Sequence, residues 1–472
     1  MSQVNAADFR PINNADDVIE NYNGAGEAAK MGIEVELAFF DPETYAPMSV
    51  AQNEALLKTM ETTHNADWVR VEPSAETMEV NSIARDFAGL QDVLKDTNDK
   101  MDTLTSEAAK IGLKRSFFSD LPDKTYKELL DNIVNVERYQ AFFQPPRDDM
   151  MEIAAYFTVC KSNQVSVSYR DHDHMLKNVR RLYAMAPFLF MLTDNTSAVA
   201  EAQPFTGHHG MQYRRNLYGR GGCPCYVFTA KSGEEYIANH INHVMNNPLY
   251  VFYDEQGVLN RIPTGTWATL NTLKKDGLNT ASNFHLSESI LWPDVKIAAL
   301  KDSADQVVGH RYEARMFGVG IHQHNTAGLI TGALAFQGTF GDKIDELLIR
   351  YGFDFDGKEE DTRLYVRNSY DAARAHNNKF FDIAFGNGNM SDFAKDFANI
   401  LEESLAGKGF EAELAPILNI CRSGMTDTKV NRLLFPALTD IQNHQSSFDA
   451  DIFTNTAQSN ALLFADKLKT AT

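Results

Sequence analysis

Gly32-Ile-Glu-Val-Glu-Leu-Ala-Phe-Phe40 is the stretch from which the fold of this chain is read. Ile33, Val35, Leu37 and Phe39 fall on one side of an extended backbone, and Glu34 and Glu36 on the other. This period-two alternation is that of a strand with one buried face. Three more segments repeat it. In Thr77–Ile83, Met78, Val80 and Ser82 oppose Glu79 and Asn81. In Asn163–Asp171, Val165, Val167 and Tyr169 oppose Gln164, Ser166, Ser168 and Arg170. In Arg311–Gly318, Tyr312, Ala314 and Met316 oppose Arg311, Glu313 and Arg315. Joined in one sheet, these strands would lay their apolar faces on helices and collect carboxylates, amides and guanidinium groups on the other face. Carboxylates at neighbouring positions repel, so such a face calls for compensating cations. Magnesium suits oxygen ligands of this sort and bridges to nucleotide phosphates. The same alternation is equally that of an antiparallel sheet with one solvated face.

Composition narrows the function classes. The 472 residues carry 44 Lys+Arg against 64 Asp+Glu, a formal charge of −20. So acidic a surface repels phosphate backbones, which argues against a nucleic-acid partner. The first residues are polar and acidic, unlike a signal peptide. The most apolar run, Ala184–Leu192, is too short to span a bilayer. Four cysteines in this length make no disulfide framework, and Cys223-Pro-Cys225 has no second pair to complete a zinc site. The expectation is a soluble, reduced, cytoplasmic protein with no membrane partner.

Nothing repeats and no Pro/Gly/Ser-rich linker divides the chain, and its length alone fits two or three average domains or one large one. Helical spacing marks Phe87–Ile111 with a stop at Gly112, and Met175–Ala186 with a kink or end at Pro187. It also marks Phe393–Leu405 with a stop at Gly407. No phosphate-loop motif is present. Gly24-Ala-Gly-Glu-Ala-Ala29 matches a dinucleotide fingerprint only formally, since it precedes the first strand. His172/His174 and His322/His324 have the spacing of paired ligands without identifiable third and fourth partners, and read as exposed or hydrogen-bonded histidines. Cys160 and Cys421 have no histidine partner that would make either a nucleophile.

The strands resemble, in order, segments of the glutamate–cysteine ligase superfamily, particularly its plant and alphaproteobacterial branch. Met31–Glu36 is similar to that superfamily's G-[IV]-E-x-E strand, and Val71–Glu79 to its second acidic strand. Arg138-Tyr139, Asp149-Met-Met151 and Val159–Val167 are similar to the R-Y, D-M-M and T-C-T-x-Q-V-N-L block. Met175–Ser197 matches a helix ending in A-N-S-P. Tyr213–Gly221, Tyr236–Tyr253, His285-Leu286, Trp292–Val295, Glu313-Ala-Arg315 and Gly409–Leu434 follow, so the resemblance covers about residues 31 to 435.

That resemblance implies one domain over residues 1–472 with an α+β, glutamine-synthetase-like fold: a curved, mostly antiparallel sheet forming a funnel with helices packed outside. It implies an ATP- and Mg2+-dependent carboxylate–amine ligase, making γ-glutamylcysteine from glutamate and cysteine through γ-glutamyl phosphate, as in glutathione biosynthesis. Glu34, Glu36, Glu72, Glu79, Gln164 and Glu313 would then be metal ligands, with Glu76 either among them or a spectator. Glu313 and Arg315 would be catalytic, with Arg315 against the γ-phosphate. Arg214 and Arg220 would bind substrate carboxylate or nucleotide phosphate alongside Arg315, and the assembly would be a monomer or homodimer. The sequence departs from the family after Arg315, where Met316-Phe317-Gly318 replaces G-A-D, and after Val165, where serines replace Asp or Asn. A different amine acceptor, or a phosphotransferase of the same superfamily, therefore stands as an alternative.

Overall fold

A computed structural model of the chain describes residues 8–44, 46–119, 130–144, 161–195, 199–200, 203–204, 221–263, 266–301, 307–353, 355, 366, 368–369 and 381–429. The four alternating segments become strands of one sheet. They are β1 (Met31–Phe40), β3 (Thr77–Asn81), β5 (Ser162–Val167) and β7 (Val307–Gly318), joined by β2 (Val69–Val71), β4 (Lys114–Arg115) and β6 (Val295–Lys301). The order is β6-β7-β5-β1-β3-β2, with β4 on the end of β1, and every pairing is antiparallel. The sheet curls into a half-barrel with helices outside, a mixed helix-and-strand fold as the sequence led one to expect.

Register follows from the alternation, because a one-residue slip would turn every apolar side chain to the wrong face. Glu36 pairs with Glu79, Glu34 with Gln164, and Glu313 with Ser166. Ile33, Val35, Leu37, Met78, Val80, Val165, Val167, Tyr312, Ala314 and Met316 lie in the main core. Helix α7 (Gln323–Phe336) packs against β5, β1 and β7. Helix α2 (Leu90–Lys110) packs on β1, and α4 (His172–Leu192) on β7. Burying each aliphatic or aromatic side chain of this face contributes roughly 1.5–3 kcal/mol, which ties the opposite, polar face to a fixed geometry.

Local chemistry sets the ends of these helices. Ser49 and Gln52 form a capping box at the start of α1 (Val50–His64). Asn65 ends that helix in the left-handed region, at φ 49°. The segment expected as strand through Asp171 stops at Val167, because Asp171 instead caps α4, accepting from the His174 N–H at 2.7 Å. Pro187 does not end α4, which continues to Leu192. Residues 184 to 192 are all buried, and their packing outweighs the single hydrogen bond a proline removes. The helices expected before Gly112 and Gly407 are found as α2 and Met390–Leu405, and both glycines are left-handed. Gly24–Ala29 lies before β1, in and around a 3-10 turn at Gly26–Ala28.

Gly318 closes β7 against the end of α4. Its N–H donates to Thr193 Oγ1 at 3.0 Å, and a Cβ placed there would lie 2.5 Å from the Thr193 carbonyl oxygen. That backbone atom cannot swing away as a side chain would. Gly318→Ala should therefore destabilise the fold by roughly 1–3 kcal/mol, read as a lower denaturant midpoint at unchanged slope.

Candidate active site

The polar face of the sheet is not a solvated surface. Glu36 is 8 % exposed, Glu313 3 % and Gln164 3 %, while Glu34, Glu72 and Glu79 are half-buried, so the face is largely enclosed. β1 and β3 bring Glu36 and Glu79 side by side, and Glu72 joins them from just beyond β2. One carboxylate oxygen from each lies within 4.8 Å of the others, an arrangement that can hold a metal ion. Glu36 is held from both sides: Oε2 accepts from the Ser162 N–H at 2.6 Å, and Oε1 from Gln164 Nε2 at 2.7 Å. The Gln164 carbonyl oxygen is then the amide atom left to meet a cation.

Glu34 and Glu313 form a neighbouring group of a different character. Arg311 Nη2 lies 3.3 Å from Glu34 Oε1 and 3.3 Å from Glu313 Oε2, and its Nε donates to Ser166 Oγ at 2.7 Å. Ser166 Oγ donates in turn to Glu34 Oε1 at 2.8 Å. Arg315 donates to the other oxygen of Glu313. Its backbone N–H is fixed by the Asp294 carbonyl at 2.9 Å. Lys296, across the β6–β7 register from Glu313, donates to the Ser289 carbonyl at 3.1 Å. Thus the six acidic and amide positions singled out in the sequence share one face, but Glu34 and Glu313 are tied to guanidinium groups while Glu36, Glu72 and Glu79 face one another.

The electrostatics follow that division. Burial, then Glu36, pushes Glu72 up to about 8, against the pull of Arg315, Arg138 and Lys161. Burial, then Glu34 and Glu72, raises Glu79 well above the ordinary carboxylate range. Glu34 is raised by burial and by Glu313, with Arg311 opposing. For Glu313 burial also acts upward, but Arg315, Arg311 and Lys296 outweigh it and hold the group at about 2. Lys296 is lowered to about 8, by burial first and then by Arg315. The result is an electron-rich cluster short of positive charge beside an ion-pair network that carries it.

Glu76 stands apart from the cluster. Its carboxylate is fully buried, paired with Lys161 Nζ at 3.1 Å and bonded by Ser74 and Thr77, so it is a structural group. Arg214 and Arg220, like Cys160, lie outside the described residues. His172 and His174 place Nε2 at 2.8 and 2.7 Å from the carbonyls of Tyr22 and Ala335. His324 Nε2 lies 2.9 Å from Asn98 Oδ1, and His322 Nε2 3.7 Å from Asp427 Oδ2. Neither histidine pair belongs to a ligand cluster among the described residues. Cys421 is buried, which pushes its thiol up and away from a nucleophile's range.

Sequence reasoning placed Arg311 on this face without giving it a task. Its spacing of two from Glu313 was signal enough to find it. Lys296 had no such signal, since its place depends on which strand pairs with β7.

A face of enclosed carboxylates flanked by guanidinium groups on a curled antiparallel sheet has the donor set that could hold a divalent cation beside an anionic ligand. Residues 30–250 match glutamate-cysteine ligase family 2, which bears out the resemblance seen in the sequence and supports a carboxylate–amine ligase. The matched span includes Glu34, Glu36, Glu72, Glu79 and Gln164; Glu313 and Arg315 lie beyond it. Among solved structures, a glutamate–cysteine ligase from Francisella tularensis in complex with AMP is 12 % identical, with a TM-score of 0.46 over 95 % of each chain. A bifunctional glutathione synthetase from Pasteurella multocida is 10 % identical, with a TM-score of 0.42, over 94 % of this chain and 53 % of that one. No curated protein matches the sequence. Among the described residues, no helix is long and apolar enough to cross a membrane.

A carboxyl group raised on folding binds its proton more tightly in the folded state, so stability is lost as pH rises from the unfolded value through the folded one. For Glu72 that window runs from 4.5 to about 8. In a chelator, the melting temperature should fall across this window, and magnesium should flatten the decline by supplying the missing charge. A melting temperature independent of magnesium at pH 8 would show that no cation answers the cluster.

Proposed function

We propose that this chain is an ATP- and Mg2+-dependent carboxylate–amine ligase that makes γ-glutamylcysteine from glutamate and cysteine through γ-glutamyl phosphate, as a single catalytic domain. The observation that carries this reading is the pairing of the Glu36–Glu72–Glu79 cluster with the Arg311–Glu313–Arg315 network on one buried face. The family match over residues 30–250 supports the reaction class, and the AMP in the Francisella tularensis ligase agrees with a nucleotide substrate.

Magnesium, when bound, would supply positive charge that offsets the charge building during phosphoryl transfer. Glu36, Glu72 and Glu79 would hold it, with Gln164 as a neutral ligand and Glu34 and Glu313 on the adjoining side. The γ-carboxylate of glutamate attacks the γ-phosphorus of ATP and ADP leaves. The amine then attacks the acyl carbon, losing a proton, and inorganic phosphate departs. Arg315 is proposed to meet the transferred phosphoryl group, oriented by Glu313, to which it donates. Arg214 and Arg220 are proposed to hold a carboxylate or phosphate of the substrates, a bidentate task that suits arginine.

Ser166 stands where the family carries Asp or Asn, and its hydroxyl is already engaged by Glu34 and Arg311. An acceptor other than cysteine is therefore the second reading.

Release of ADP and phosphate, measured with glutamate, magnesium and a panel of amines, separates these readings. Amide product with a preference for cysteine is expected. Amide formed equally well from other amines would move the assignment to another acceptor. A stable phosphorylated product would move it to a phosphotransferase. Arg315→Ala should lower kcat by roughly 10³-fold, the low end of what a transition-state arginine contributes. Glu36→Gln should raise the magnesium requirement by more than the roughly 10- to 100-fold that loss of an outer-shell partner costs. Full activity in both variants would overturn the assignment of this face.

A further inference from the structure

A second ligand cluster lies on the opposite side of the sheet. Period-two spacing along β7 puts His310 on the side of Tyr312, away from Arg311 and Glu313. There it is fully enclosed, with its ring stacked on Tyr22 at a centroid distance of 3.7 Å. Beside it, helix α6 (Ala281–Ser289) presents His285 and Glu288, three residues apart on one helical face. Glu288 is 2 % exposed.

The two oxygens of Glu288 are used differently. Oε1 accepts from the Tyr22 hydroxyl at 2.8 Å and lies 3.1 Å from His240 Nε2 on helix α5 (Gly233–Asn246). Oε2 faces His310 Nε2 at 3.5 Å and His285 Nδ1 at 3.8 Å. These two nitrogens are buried and have no hydrogen-bond partner. His310 Nδ1 is 3.0 Å from the Asn21 carbonyl. A carbonyl only accepts, so Nδ1 is the donor of that bond, and Nε2 is left facing Glu288 Oε2 across the buried gap. Two imidazole nitrogens and a carboxylate oxygen converging in a buried site could hold the positive charge of a cation between them.

The spacings identify what supplies it. They are too long for hydrogen bonds. They are close to the edge of a tetrahedron of ligands each about 2.0–2.1 Å from a central ion, about 3.3 Å. Two imidazole nitrogens and one carboxylate oxygen favour zinc or a similar transition ion over magnesium. The carboxylate is oriented by Tyr22 and His240, and His310 by a backbone carbonyl, which is the outer-shell pattern of a built metal site.

We propose that His285, Glu288 and His310 bind one zinc-type divalent cation, distinct from the magnesium of the carboxylate face. It would pin α6 and the N-terminal 3-10 turn at Ile19–Tyr22 to β7, the strand that carries Arg311, Glu313 and Arg315. The test is to strip the full-length protein with a chelator, reload it with zinc or cobalt(II), and desalt it. The expected result is about one retained equivalent, a tetrahedral cobalt spectrum and a higher melting temperature. His285→Ala, at the more exposed edge of the cluster, and Glu288→Gln should each abolish retention, while Glu36→Gln on the other face should leave it intact. Should Glu288→Gln fail to fold, the wild-type spectrum and the His285→Ala arm still decide. No retained metal in the wild type, which would make the cluster an imidazolium–carboxylate pair, overturns the proposal. Unchanged retention in His285→Ala overturns it equally.

Discussion

Repulsion among carboxylates confined to one buried sheet face is the constraint on which the rest of this structure depends. Glu34, Glu36, Glu72, Glu79 and Glu313 are brought together by strand register, and register is dictated by the apolar residues on the reverse of the same strands. The core cannot keep Ile33, Val35 and Leu37 inside without turning Glu34 and Glu36 into the enclosed face. The acidic cluster is therefore a direct consequence of the hydrophobic packing behind it.

The repulsion is relieved unevenly. On β7, Arg311 and Arg315 clasp Glu313, and Arg311 reaches Glu34 as well. At the other end, Glu72 remains raised despite Arg315, Arg138 and Lys161, and Glu79 is raised by burial and by the carboxylates of Glu34 and Glu72. A buried charge persists where it is paired or ligates a metal, and otherwise takes up a proton. The unevenness gives the face a direction: a cation is wanted at the β1–β3 end, and an anion can approach the arginines at the β7 end. Phosphoryl transfer to a carboxylate needs these two capacities side by side.

Much of this was legible in the sequence because local alternation and global register agree. The four alternating segments, spread over residues 31–318, each named their own polar residues, and β7, β5, β1 and β3 are adjacent in the sheet. Sequence could not divide Glu76 from Glu72 and Glu79. That division depends on Lys161, which approaches Glu76 only in the folded chain. Pro187 misled for a related reason, since a propensity argument knows nothing of the buried faces that carry α4 past it. The His285–Glu288–His310 cluster was hidden too. The i, i+3 spacing of His285 and Glu288 is common on helices, and the partner that gives it meaning arrives from another strand and the far side of the sheet.

In the proposed function, the Glu36–Glu72–Glu79 cluster seats the divalent cation that serves the nucleotide. Crystals grown with manganese and a non-hydrolysable ATP analogue test it most directly, through the anomalous signal of the metal. The account requires a peak about 2 Å from carboxylate oxygens of those three residues, with the nucleotide's phosphates toward Arg315. Manganese bound to the phosphates alone, or a peak elsewhere on the sheet with these three carboxylates unliganded, would contradict it.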